Sequence, residues 1–317
     1  MDEDIEWDVI VVGGGAAGLA GATTLARSRR SVLVVDAGEP RNAPAHAVHS
    51  YLGRDGVPPL ELLAQGRTEL ASYGGSVRQG EAVSARVVDR GFEVTLDTGS
   101  VLTSRRLLVT TGLVDELPEI PGLRERWGSD VVHCPYCHGW EVRNQPIAVL
   151  ASGPMAGHQA LLFRQLSDDV ILLLNGQPEP GEEEARRFGA LGIRVVGGPV
   201  ERVVTDEAGI TGVEVGGAVV PCRVVVVGPT MVARSAILER LGVAPEELAF
   251  GGAAVATFVP ADPMGQTSAR GVYVAGNVAD PQAQVVTAAG AGVKAAAAIN
   301  MDLIEEDVAR AVGALVG

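Results

Sequence analysis

Residues 8–38 read DVIVVGGGAAGLAGATTLARSRRSVLVVDAG, and no other stretch limits the fold of this chain as strongly. A short apolar run at 8–12 meets glycines at once. The helical period of LAGATTLARSRR follows, then a second apolar run at 31–38. Strand, glycine turn, helix and strand in that order make a parallel βαβ unit. The spacing Gly13-x-Gly15-x-x-Gly18, with Ala16 and Ala17 between, lets the backbone approach a pyrophosphate whose charge meets the helix N-terminus. Asp36 closes the second strand 23 residues after Gly13, where a carboxylate can bind a ribose hydroxyl. A glycine turn that served only packing would leave Asp36 unexplained.

A second unit of the same layout begins at 147, IAVLASGPMAGHQALLFRQLSDDVILLLNGQ, so the chain carries an internal duplication. Between the two lie a polar loop (39–59), a helical stretch (LELLAQGRTELASYG), strand-like segments at 77–96 and a buried strand, RRLLVTTGL, ending at Thr111–Gly112. The segment ELPEIPGL at 116–123 has the punctuation of a linker. Alternating strands resume between 194 and 227, and the last 70 residues hold a strand, GVYVAGNVAD, and a long helix of small residues from about 283. The fold class expected is α/β with two Rossmann-like, three-layer nucleotide-binding domains, and 317 residues suffice for both.

Charge excludes some partners. Lys+Arg 25 against Asp+Glu 39 gives a net charge of -14, and Lys294 is the only lysine. Nucleic acid and anionic membranes both need clustered positive charge, so neither is an expected partner. The acidic opening MDEDIEWD is unlike a signal peptide, and no apolar stretch is long enough to span a bilayer. The expected location is cytoplasmic.

Residues 133–140, HCPYCHGW, carry the remaining chemistry. Zinc, a structural disulfide and a redox dithiol all use paired cysteines. Structural zinc takes four ligands, and the third cysteine of the chain, Cys222, stands alone in an apolar run, so no metal is expected. In an α/β chain of this kind, Cys134-x-x-Cys137 reads as a redox pair.

These parts together resemble the low-molecular-weight thioredoxin reductase superfamily of flavoproteins. The resemblance rests on GGGAAG at 13–18, Asp36, LLVTTG at 107–112, the C-x-x-C just before a second Rossmann strand, and TSARGVYVAGNV at 267–278, and it spans nearly the whole chain. It implies that the second domain is inserted into the first, with a discontinuous FAD-binding domain at 1–114 plus 246–317. A degenerate NAD(P)H-type domain at 115–245 would carry the dithiol. It also implies FAD contacts at Gly13, Gly15, Ala16, Ala17, Gly18, Asp36, Ala37, Arg41, Asn42, His49, Val83, Thr111, Gly112, Gly276, Asn277, Val285 and Val286. Asn277 stands where the family usually has Asp and can still bond a ribityl hydroxyl. The helix entered at Val285–Val286–Thr287 would aim its dipole at the flavin pyrimidine.

Two departures from the family pattern point the same way. The second turn reads Ala151-Ser152-Gly153-Pro154-Met155-Ala156, His158 stands where an acid belongs, and the next strand ends in Asn175-Gly176-Gln177 without a basic cluster. Pro154 also removes a backbone N–H from the phosphate cradle. NADPH is therefore not expected to be used. The position after the second cysteine is His138, where reductases acting on thioredoxin carry Asp. CPYCHGW thus looks like the branch that oxidises dithiols of natural products such as gliotoxin and holomycin, with oxygen as acceptor.

The expected function is an FAD-dependent dithiol oxidase that closes a disulfide in a small molecule and forms hydrogen peroxide. The alternatives are an NAD(P)H-dependent disulfide reductase, a chain reduced by a carrier protein, and a redox sensor. By the family pattern Cys137 faces the flavin and Cys134 exchanges with substrate. His138 is the leading general base, His133 the alternate, and Asp280 a candidate to orient a histidine across the domain interface. His46 and His49 lie in the loop the family places beside the flavin, Tyr136 and Trp140 are candidate pocket walls, and a homodimer is expected.

Overall fold

A computed structural model describes residues 6–316; the opening residues 1–5, most of the stretch read above as no signal peptide, lie outside it. β1 (Trp7–Val12), α1 (Ala16–Arg27) and β2 (Val32–Asp36) form the first unit. After α2 (Pro59–Ser72) come β3 (Ser76–Gln79), β4 (Ala82–Val88), β5 (Gly91–Leu96) and β6 (Val101–Val109). The sheet order is β3-β2-β1-β6-β5-β4, parallel from β3 to β6 and antiparallel beyond. Residues 9–12 and 32–35 are buried on both faces, which is why they read as unbroken apolar runs rather than alternating ones.

β7 (Leu113–Glu116) leads out to β8 (Val131–Val132), a one-turn helix α3 (Pro135–His138), β9 (Ile147–Leu150), α4 (Ala156–Phe163), β10 (Val170–Leu173), α5 (Glu182–Leu191) and β11 (Arg194–Val196). An antiparallel meander of β12 (Val200–Asp206), β13 (Gly209–Val215) and β14 (Ala218–Pro221) precedes β15 (Val224–Val227). The second sheet, β11-β10-β9-β15-β8, is parallel throughout and separate from the first.

The chain returns along β16 (Thr230–Ala233), antiparallel to β7, then α6 (Ala236–Glu239) and the hairpin of β17 (Glu246–Phe250) and β18 (Ala253–Phe258). Ala233, Ile237, Leu238 and Val243 already pack into the first core, so the return begins ahead of residue 246. β19 (Val272–Val274) joins the first sheet beside β6, and α7 (Val285–Val316) closes the chain. α7 lies against α1 at glycine contacts: a methyl on Gly292 would sit 2.0 Å from the Ala17 carbonyl oxygen. That approach explains the small-residue composition of the last helix. No helix among the described residues is long and apolar enough to cross a membrane.

Candidate active site

One cavity of about 1770 Å³ runs between the two sheets and joins the first glycine turn to the cysteine pair. Gly13, Gly15, Ala16, Ala17, Asp36, Ala37, Arg41, Asn42, His49, Thr111, Gly112, Gly276, Asn277 and Val285 line it, as do His133, Cys134, Cys137, His138 and Asp280. Ligand sites commonly measure about 300–1,000 Å³, so this one can take a dinucleotide and a second small molecule.

Its first-turn end fits FAD. The Gly14 N–H donates to Asp36 Oδ1 at 3.1 Å, which fixes the carboxylate and leaves Oδ2 for a ribose hydroxyl. Nothing stands within 4 Å of a methyl built on Gly15, so the turn is open where a pyrophosphate would lie. Asn277 Nδ2 donates to the carbonyl oxygens of Asp280, Pro281 and Ala283 at 3.1, 3.3 and 2.9 Å. Its Oδ1 is left to accept from a ribityl hydroxyl.

Three expected cofactor contacts fall outside the lining. Val83 alternates with the lining residue Ala82 along β4 and is 42% exposed. Val286 turns to solvent one position after Val285 on α7. Gly18 is buried beneath the turn, where a methyl would sit 1.9 Å from the Gly13 carbonyl oxygen; its task is turn–helix packing. Arg41 does line the cavity, but its guanidinium grips Asp115 of β7 through Nε at 2.7 Å and Nη2 at 2.6 Å.

Cys134 caps α3 and Pro135 supplies its first residue, a position that needs no N–H. The Cys137 thiol donates to Cys134 Sγ at 2.6 Å. This bond, helped by the backbone N–H groups of Tyr136 and Cys137 and by the Arg41 charge, lowers Cys134 to about 7 despite burial. Cys137 is pushed up, because it supplies that hydrogen and is itself buried. In the reduced pair a Cys134 thiolate that shares the Cys137 proton is thus well populated near neutral pH, which also makes Cys134 the better leaving sulfur in exchange. Cys222 is buried in the second domain's core, and burial raises it to about 12.

The histidines differ. His133 Nδ1 lies 3.2 Å from the Val227 carbonyl oxygen and 3.3 Å from the terminal amide of Gln159. Both ring nitrogens of His138 are buried without a hydrogen-bond partner. Burial lowers the pKa of both rings. Asp280 orients neither: its Oδ1 accepts from the Gln282 N–H at 3.0 Å and closes the turn before α7. His49 bridges the halves, with Nε2 3.4 Å from Glu141 and Nδ1 3.4 Å from Asp55. His46 is exposed and outside the lining. Tyr136 lines the cavity, but Trp140 is 66% exposed and stacks under Arg143 instead.

The second glycine turn is tied down. Ser152 Oγ donates to the Gly228 carbonyl oxygen at 2.8 Å and accepts from the Gly228 N–H at 3.2 Å. Gly251, at the tip of the β17–β18 hairpin, lies beside Pro154: a methyl on it would come 3.1 Å from the proline ring. Asn175, after β10, accepts from the Val200 N–H at 3.0 Å. Gln159, Asp115, Glu141 and Ser152 were not singled out from the sequence; each is defined by a contact from a distant segment.

Residues 7–292 match the model of the pyridine nucleotide-disulphide oxidoreductase family. The crystal structure of HlmI superposes with a TM-score of 0.90 at 44% identity, covering 100% of this chain and 98% of that one. Thioredoxin reductase sirT of Leptosphaeria maculans is 29% identical over 96% of each chain. Thioredoxin reductase tcpT of Claviceps purpurea is 36% identical, over 58% of this chain and 60% of its own. The matches to the first of the fungal relatives thus span about half to three-fifths of their length.

Proposed function

The chain belongs to the pyridine nucleotide-disulphide oxidoreductase family, as a thioredoxin reductase-like flavoprotein, and from that premise we propose that it is an FAD-dependent dithiol oxidase. Its substrate is a small-molecule dithiol of natural-product type, its product the intramolecular disulfide, and its location the cytoplasm. The observation that carries this reading is the contrast between the two turns. Both turns line the cavity and leave open space at Gly15 and Gly153, but in the second Ser152 is tied to Gly228 and Pro154 offers no N–H to a phosphate. A chain that draws electrons from its substrate needs no NADPH.

Bound FAD would accept the electron pair of the reduced cysteine pair and deliver it to dioxygen, giving hydrogen peroxide. The residues here do the rest. Gly13–Gly15, Asp36 and Asn277 hold the cofactor. Cys134 forms the mixed disulfide with substrate, and Cys137 closes on Cys134 when the pair is oxidised. Two copies of the chain associate through α7. Nucleic acid and membrane are not partners.

Anaerobic addition of dithiothreitol, NADPH and NADH to separate samples tests the reading. Bleaching of the flavin by the dithiol alone, with colour and peroxide returning in air, is the expected result. Rapid bleaching by NADPH would instead mean a disulfide reductase, the activity named for sirT and tcpT.

A further inference from the structure

We propose that His133, rather than His138, exchanges the proton during thiol–disulfide exchange, and that Gln159 is the positioning residue that holds its ring. The inference rests on the reading above only in taking a dithiol as substrate. A carbonyl oxygen can only accept, so the 3.2 Å contact with Val227 puts the hydrogen of neutral His133 on Nδ1. The Gln159 atom placed 3.3 Å from the same nitrogen is Nε2, on a side chain 6% exposed; the two ends of an amide are interchangeable, and with the amide turned over Oε1 accepts that hydrogen. Val227 and Gln159 then accept together, and the lone pair of neutral His133, a residue that lines the cavity, is left on Nε2. His138 lacks such a frame, since neither of its nitrogens has a partner.

The charged and titrating groups around His133 fit the role. Burial of the ring and Arg41 keep it neutral, the Val227 carbonyl and Asp115 favour its cation, and its neighbour Cys134 and His138, on which it acts electrostatically, line the same cavity. Gln159 adds a neutral dipole to the side that stabilises the cation. Orientation of a base by a partner on its far nitrogen is a general device of catalytic imidazoles.

The step balances with the cysteine disulfide as oxidant. A substrate thiol gives its proton to Nε2, and its sulfur attacks Cys134. The Cys134–Cys137 bond breaks, and Cys137 leaves with the electron pair. The second substrate thiol then loses its proton through the same nitrogen, and its sulfur displaces Cys134 and closes the substrate disulfide. Two electrons have moved from substrate to the cysteine pair; one proton stays between the two cysteine sulfurs and the other passes from His133 to water.

The test is anaerobic exchange of the oxidised holoenzyme with dithiothreitol between about pH 5 and 9, stopped by alkylation and read as new cysteine thiols by mass. General-base removal costs on the order of a hundredfold. His133→Asn should lower the rate by about that factor and erase the acidic limb of the profile, and the loss should exceed that of His138→Asn. Gln159→Leu should move the acidic limb to lower pH, and Gln159→Glu, which keeps an acceptor and adds charge, should move it to higher pH. A structural role for Gln159 would lower the rate without moving the limb, and that result overturns the proposal, as does an equal or larger loss in His138→Asn. Oxygen uptake is read separately. Its absence with exchange intact would sink the oxidase reading and leave the base assignment standing.

Discussion

Asn277 shows how one side chain serves two ends. The family resemblance implies a bond from it to a ribityl hydroxyl; in the structure Nδ2 donates to three carbonyls of residues 280–283, which leaves Oδ1 for that bond. That turn delivers the chain into α7. A carboxylate there would face three carbonyl oxygens with no hydrogen to offer. Asn277→Asp is expected to cost about 2 kcal/mol at neutral pH, from lost hydrogen bonds and unmet acceptors. The carboxyl's folded pKa would be raised, so the deficit should be small below about pH 4 and grow as pH rises through its titration. Urea unfolding at the two pH extremes checks both size and sign. A constant deficit would place the defect elsewhere. Much of the site was legible at this scale, because Gly13, Asp36 and the two cysteines carry their chemistry in local spacing. Gln159 was not. It sits in GHQALLF like any polar helix residue, and only the arrival of His133 from the end of β8 gives it a task.

Elements were legible where burial imposes a pattern. The runs at 8–12, 31–36 and 147–150 became central parallel strands because both faces are covered. β7 and β16 were not legible as strands: LVDE and TMVA are four residues long and pair with each other across the 113 residues between them. The helix of small residues was legible as a helix, but its reason lies in its partner. Gly292 meets the Ala17 carbonyl, and Gly21 meets Leu108 and the Gly292 carbonyl, so α1 and α7 approach with no side chain between them. Gly292→Val must part the two helices, with an expected loss of about 3 kcal/mol by overpacking. Gly313→Ala, whose methyl meets nothing within 4 Å, should instead stabilise α7, by up to about 1 kcal/mol on helix propensity. Thermal melting of the two variants should move in opposite directions. If Gly292→Val melts like the parent, α1 and α7 do not pack as closely as described.

Across the whole molecule α7 is a helix with its charges turned in. Asp302, Glu306 and Asp307 point at the body, where they meet Arg105 and Arg106 of β6 and Arg30 after α1. The opposite face carries Val286, Val293, Met301, Ile304, Val308, Val312 and Leu315, all between 38 and 87% exposed. At 100° per residue they form one stripe, roughly 45 Å long at the rise of an α-helix. A stripe of that length is more than scattered surface apolarity. Its flanks favour a second copy of the chain. Lys294 and Glu305 project on the same side of the stripe, and an antiparallel two-fold pairing sets Lys294 beside Glu305 of the partner subunit, twice over. The stripe extends past Leu303, the last buried residue of the helix, so the body does not shield it. Light scattering should therefore give twice the 32.7 kDa chain mass. Val308→Glu with Val312→Glu should halve that mass while flavin content is retained, because both residues lie far along α7 from the cavity. A wild-type monomer, or a double variant that stays dimeric, would show that this face is not where two chains meet.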